Sequence, residues 1–418
     1  MKRENFMNKK IKLLNEIKLI AFAAIIGSVA GLVFWGFLWL INFFTELIWQ
    51  RIPIVMGDIS YYALIVCVIG GLIIGVLRKF CGNYPQGMTE VITTVKKTGT
   101  YPYKKLLSII ILAVLPLIIG SSIGPEAGMV GVIVSLCCWA GDNLKFANKS
   151  TISYSKVGAA VTLSVLFHSP LFGIFNVEEN EENYDDDISH IKSSQFLIYA
   201  IATAAGIGVY SLLSNLICEV AERFPTFETA LPTGYDYLAM FLYIICGIAF
   251  GFFFIKSEHF FEKTAKKLPP IISEVTAGII LGTIVCFLPV VQFSGETQMG
   301  ILINDYAKYS PIAMIGIAVL KILITNMCIQ FGLKGGHIFP LIFSAVCLGY
   351  GISLTLFPAS SAHAVFAAAI ITAATLGFSM KKPIAVTMLL FICFPIRMFF
   401  WIFLSAAVSS FISKKINY

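Results

Sequence analysis

The chain has 418 residues, 58% of them hydrophobic and 13% charged, with a mean hydropathy of +0.85. Those values exclude a water-soluble domain and imply many membrane crossings. The formal charge of +7 does not mark a nucleic-acid binder, because the basic residues gather at the ends of apolar segments.

Lys2, Arg3, Lys9, Lys10, Lys12 and Lys18 precede the first apolar run, which places the N-terminus in the cytoplasm. Lys414 and Lys415 place the C-terminus on the same side. The first run, Leu19 to Thr45, carries no small-residue cleavage site after a short apolar core, so it reads as a retained helix. Further charge-free runs follow along the whole chain. Several are too short to cross about 30 Å of hydrocarbon alone, such as 383–396 and 398–413, whereas 335–380 is long enough to cross twice. The ten cysteines lie scattered through apolar runs with no CxxC spacing and read as buried small hydrophobes, not metal ligands.

From Leu106 to Gly141 the only charged residue is Glu126, inside GSSIGPEAG at 120–128. A carboxylate at the centre of a membrane helix costs roughly 2.5–3.5 kcal/mol, so it needs compensation or a function. The Gly/Pro break supplies the compensation. Ser122 can cap a new helix and Pro125 can sit in its first turn. The free amides at that start form an anion site, which the helix dipole favours. Glu126 can fill the site with its own carboxylate, and on protonation it can yield the site to a mobile anion. That makes it a gate and a proton carrier, with Gly124, Pro125, Ala127 and Gly128 marking the site's position.

Residues 178–187, EENEENYDDD, are strongly acidic. They read as a solvated cytoplasmic loop or a proton funnel, in either case off the anion path. The segment near 220–235 is polar and turn-rich and divides the two halves, which gives a cytoplasmic segment 1–18, a first half 19–225 and a second half 226–418.

About 210 residues after the first break comes a second, GLKGGHIFP at 332–340. Two broken helices at corresponding positions point to an inverted repeat with a site at mid-membrane. Gly336, His337, Ile338 and Phe339 would present a second set of amides. Two opposed helix starts can bind an anion without a fixed positive charge that would hold it too tightly. Lys334 suits an attracting charge at a pore mouth, and Lys321 a paired or snorkelling lysine.

These residues resemble the CLC family of chloride channels and proton-coupled chloride transporters. GPEAG at 124–128 is similar to its Gly-(Arg or Pro)-Glu-Gly-Pro element, with Glu126 at the gating glutamate. GGHIFP at 335–340 is similar to its Gly-Ile-Phe-x-Pro element, and FHSPLFGIFNVEE at 167–179 to its Phe-Asn-Ala-Pro-Leu-Ala-Gly run. The resemblance spans roughly 19–413 and points to a bacterial subgroup without cytoplasmic regulatory domains. It implies an all-α, polytopic membrane protein with inverted repeats and broken, tilted helices. It also implies a homodimer in the cell membrane, in contact with lipid, that moves chloride or another small anion with protons and uses no cofactor or metal.

Departures from the family pattern bear on mechanism. The element that gives the family a serine hydroxyl for the central anion corresponds here to Gln86, Gly87 and Met88, with Gln86 at the serine position. The family's inner proton glutamate falls by ungapped count on Asn180, leaving Glu178 and Glu179 as the candidates. Its pore tyrosine corresponds to Tyr418. Two alternatives stand beside proton-coupled chloride transport. One is an uncoupled channel or a carrier of another anion such as fluoride. The other is a membrane serine hydrolase, because GSSIG fits G-x-S-x-G around Ser122 and five histidines offer a base, although that motif requires a preceding strand. The first class is a transporter and not an enzyme.

Overall fold

The computed structural model describes all residues except 1, 58, 99, 144–150, 180–192, 219–224, 228–231, 358–360 and 417–418. The first half opens with α1 (Lys2–Glu46), which runs on through one π turn into α2 (Ile52–Met56). Then come α3 (Tyr62–Cys81), α4 (Met88–Thr98), α5 (Leu106–Ile118), α6 (Glu126–Asn143), α7 (Thr151–Leu166), α8 (Pro170–Glu178) and α9 (Ser193–Leu216). The second half holds α10 (Gly234–Ala265), α11 (Ile272–Phe287), α12 (Glu296–Asp305), α13 (Pro311–Gln330), α14 (Ile338–Leu356), α15 (Ser361–Met380), α16 (Pro383–Leu390) and α17 (Phe399–Lys415).

The second series repeats the first. From α3 and α11 through α9 and α17, each helix of the second half starts about 210 residues after its counterpart. The repeat is legible in lengths and breaks, with short helices α8 and α16 at matching places. Eight helices among the described residues are long and apolar enough to cross a membrane. The 335–380 stretch divides into α14 and α15, as its length requires, while α16, with 8 residues, is too short to cross about 30 Å alone.

Small residues let the long helices approach. Gly27 and Gly31 of α1 face the backbone of Ala202 and Gly206 in α9. Gly71 and Gly75 of α3 meet Glu274 and Ile271, and Gly278 and Gly282 of α11 meet Cys67 and Leu64. Gly247 and Gly251 of α10 meet Ile371, Ala374, Thr375 and Phe378 of α15. Each pair is a GxxxG spacing, the membrane solution for close van der Waals contact where lipid tails leave no hydrophobic drive. Of the candidate spans among the described residues, α14, whose start is the second break, and α15 are the most thoroughly buried.

One charge inside the bundle is satisfied by backbone alone. Lys321 of α13 is fully buried, and its Nζ donates to the carbonyls of Val291 (2.9 Å), Gln292 (3.3 Å) and Phe293 (2.6 Å). It also lies 5.5 Å from the Phe343 ring centre. It is thus neither paired with an acid nor snorkelling, as its place in the sequence suggests. The loop before α12 turns three carbonyls inward and replaces its hydration shell. At the ends of α3 and α11, Arg78 pairs with Glu274, which also accepts from the Ile271 amide at 2.8 Å.

Candidate functional site

The two breaks meet. After α5 the chain turns at Gly120, where φ is +81°, and after α13 it turns at Gly332, where φ is +104°. Only glycine takes such angles without steric cost. The two loops then pair: the Gly124 amide donates to the Gly336 carbonyl at 2.8 Å, and the Gly336 amide returns a bond to Gly124 at 2.7 Å. Ser122 Oγ and Thr325 Oγ1 add a third link at 3.1 Å. Ser122 therefore faces α13 and does not cap α6. That helix is entered through Pro125, whose carbonyl accepts the Met129 amide at 3.0 Å.

Glu126 opens α6 and is 3% exposed. Its Oε1 accepts from the amides of Ile338 (2.9 Å) and Phe339 (3.2 Å), the first residues of α14. A carboxylate from one half thus occupies the helix start of the other. Its second oxygen, Oε2, is buried without a hydrogen-bond partner among the described residues. The two glycines make room for it. A Cβ on Gly124 would fall 2.0 Å from Oε2, and one on Gly336 would fall 1.9 Å from it. Ala127, Gly128 and His337 flank this centre, with Gly128 packed on Ala113 and the His337 ring 5.3 Å from Phe254.

An aromatic wall stands behind the amides. Phe339 stacks on Phe167, with centroids 4.6 Å apart and planes at 15°, and Phe167 meets Phe172 edge-on at 4.9 Å. The FHSPLFG run is thereby brought to the site. Its Ser169 caps α8 by accepting the Phe172 amide and donates to the Met388 carbonyl of α16 at 2.9 Å. The Phe167–Phe339 stack has no counterpart in local sequence pattern, since the partners lie in different halves.

Residues 86–88 are placed less directly. Helix α4, which begins at Met88, packs against α6 and α7. Gln86 Nε2 donates to Glu90 at 2.8 Å, and Gly87 accepts the Val91 amide at 2.9 Å. No hydrogen bond among the described residues joins 86–88 to the Glu126 carboxylate. As for a hydrolase, Ser122 follows a helix and not a strand, so the nucleophile-elbow context is missing.

The Voltage gated chloride channel family profile matches residues 70–414. The chain belongs to that family, the CLC family. Relatives include the YfeO proteins, named for ion transport. That of Escherichia coli O17:K52:H18 is 24% identical over 338 residues, covering 78% of this chain and 77% of its own. That of Salmonella paratyphi A is 22% identical, covering 78% of each. Among solved structures, a CLC-type fluoride/proton antiporter superposes with a TM-score of 0.77 at 18% identity over 95% of both chains. A slow cyanobacterial Cl-/H+ antiporter gives 0.77 at 16% identity, also over 95% of both. The all-α CLC-type fold of two inverted halves is thereby shared.

Within this CLC fold the carboxylates of Glu178 and Glu179 part company. Glu179, at the end of α8, accepts from the amides of Ile384 (3.1 Å) and Ala385 (2.9 Å) at the start of α16. Beside it, Lys382 Nζ donates to the Asn176 carbonyl (2.6 Å) and side chain. A first-half glutamate again sits on a second-half helix start, as Glu126 does. Glu178 lies one residue earlier, partly exposed. Asn180, the rest of the acidic run and Tyr418 lie outside the described residues.

Proposed function

We propose that the protein carries a small anion, chloride first among the candidates, across the cell membrane in exchange for protons, with Glu126 as both gate and proton carrier. The observation that carries this reading is the seat of the Glu126 carboxylate on the Ile338 and Phe339 amides. Those two donors are neutral, point at one spot and belong to a helix start, which suits any small anion. A carboxylate held there is a tethered anion. An incoming free anion competes for the same donors. Displaced from them, the carboxylate faces an apolar surround and is relieved by taking up a proton. Anion entry and proton uptake are then linked at one side chain.

Glu179 is the better candidate for delivering protons from the inner side, because its carboxylate is set on a helix start next to Lys382 and can exchange one set of donors for another. Gly124, Pro125, Ala127, Gly128, Gly336, His337, Ile338 and Phe339 would frame the anion, with Gln86, Gly87 and Met88 as a third side. The protein would work as a homodimer with one pore per subunit, both termini in the cytoplasm, and halves dividing near 225. Purified protein in liposomes under chloride, fluoride and nitrate gradients, with a pH dye, tests the reading. Anion flux that drives proton movement supports it. Absence of flux for all three anions overturns it.

A further inference from the structure

Two residues join α15 to α16, and both depart from local rules. Lys381 takes the left-handed region, with φ of +58°, where a helix end usually places glycine or asparagine. Lys382 is the N-cap of α16, a position where Ser, Thr, Asp or Asn normally accepts a first-turn amide, and its side chain makes no such bond. A lysine there also starts at the positive end of the helix dipole. The side chain leaves that end. Its Nζ reaches the last turn of α8 and donates to the backbone and side-chain oxygens of Asn176, with both residues buried. The Asn176 carbonyl is among the last four of α8, which lack intrahelical donors and favour a cation. In return, Glu179 at the same end of α8 accepts the Ile384 and Ala385 amides, the second and third positions of α16. Those are the amides that an N-cap side chain takes. Each helix end is thus capped by the other helix. The far ends are joined as well, through Ser169 Oγ to the Met388 carbonyl at 2.9 Å.

We propose that Lys382 is the positioning residue of the inner proton step: it latches the end of α8 to the start of α16 and, by leaving the first amides of α16 uncapped, reserves them for the Glu179 carboxylate. This rests on Glu179 as the inner proton carrier, as read above. Asn176 and Glu179 lie three residues apart, on one face of α8, so a bond to the first fixes where the second can reach. A side chain at 382 that capped α16 itself would compete with Glu179 for the same two amides. Lysine cannot accept a hydrogen bond, so it cannot compete.

Anion and proton flux are measured in liposomes for Lys382→Arg, Lys382→Met and Lys382→Ser, beside wild type and Glu179→Gln. Arginine keeps a cationic donor and caps nothing, so it should keep most of the proton flux. Methionine loses the latch and should lower proton flux about five-fold, the scale of one cap interaction, with anion flux kept. Serine loses the latch and also caps α16 in competition with Glu179, so it should lower proton flux further, toward that of Glu179→Gln, again with anion flux kept. Wild-type proton flux in the Met and Ser variants, or an equal loss in all three, overturns this inference and leaves anion transport standing. Anion flux falling in step with proton flux in the Met and Ser variants makes Lys382 a support of the fold alone and overturns it too. Wild-type proton flux in Glu179→Gln, or no anion-driven proton flux in the wild-type protein, overturns the reading beneath it.

Discussion

Gly336 and Glu126 are matched to each other at atomic range. The atoms nearest to a Cβ at Gly336 all belong to the Glu126 carboxylate, at 1.9, 2.2 and 2.7 Å. Gly336 is outside the left-handed region, so alanine meets no backbone strain there. Gly336→Ala should evict the carboxylate from the α14 amides and uncouple anion from proton movement, as loss of the carboxylate itself would. It should cost about 1–3 kcal/mol of stability, which Glu126→Ala should largely restore in the double variant. Thermal unfolding in detergent around this double-mutant cycle is the check. Additive losses would mean the two residues do not compete for the same space. At the inner end, Glu179→Gln should lower proton flux at least ten-fold with anion flux kept, while Glu178→Gln leaves both near wild type. Equal effects from the two variants, measured with the pH dye, would remove the distinction drawn from the Ile384 and Ala385 bonds.

At the scale of elements, the GxxxG contacts of α1, α3, α10 and α11 govern how closely helices pack. A Cβ on Gly278 would fall 2.3 Å from the Cys67 carbonyl, whereas one on Gly316 meets open space. Gly278→Ala should therefore destabilise by about 1–3 kcal/mol. Gly316→Ala should be neutral or stabilising by up to about 1 kcal/mol through helix propensity. Unfolding temperatures in one detergent decide this, and equal shifts would contradict the packing account. The elements also show what local sequence carries. The breaks at 120–128 and 332–340 are legible because glycine, proline and a lone carboxylate interrupt apolar runs. The cage around Lys321 is not, because three carbonyls of a loop leave no side-chain signature. Ser122 suits a cap by spacing, yet its hydroxyl reaches Thr325, a choice made only when α13 arrives.

For the whole molecule, the site exists only where two halves meet. Glu126 comes from the first half and its donors from the second, and Glu179 repeats that exchange on α16. Paired breaks about 210 residues apart announced the symmetry, but residue-level pairing such as Phe167 on Phe339 is a product of tertiary packing. The proposed third side at 86–88 is the least legible, since the Gln86 amide is bonded to Glu90 and not to the Glu126 carboxylate. Topology has its own test. In a background with the ten native cysteines replaced by serine, Lys2→Cys should resist membrane-impermeant thiol reagent in intact cells and react after lysis. Labelling of intact cells would reverse the orientation read from the basic N-terminus.

The central claim is that one carboxylate alternates with a free anion on the amides of Ile338 and Phe339 and carries the proton when displaced. Glu126→Gln keeps the side chain's size and removes its charge and its titration. In liposomes with an anion gradient and a pH dye, this variant should pass the anion at a rate comparable to wild type or faster, and should move no protons. Proton flux persisting at the wild-type ratio in Glu126→Gln would contradict the account.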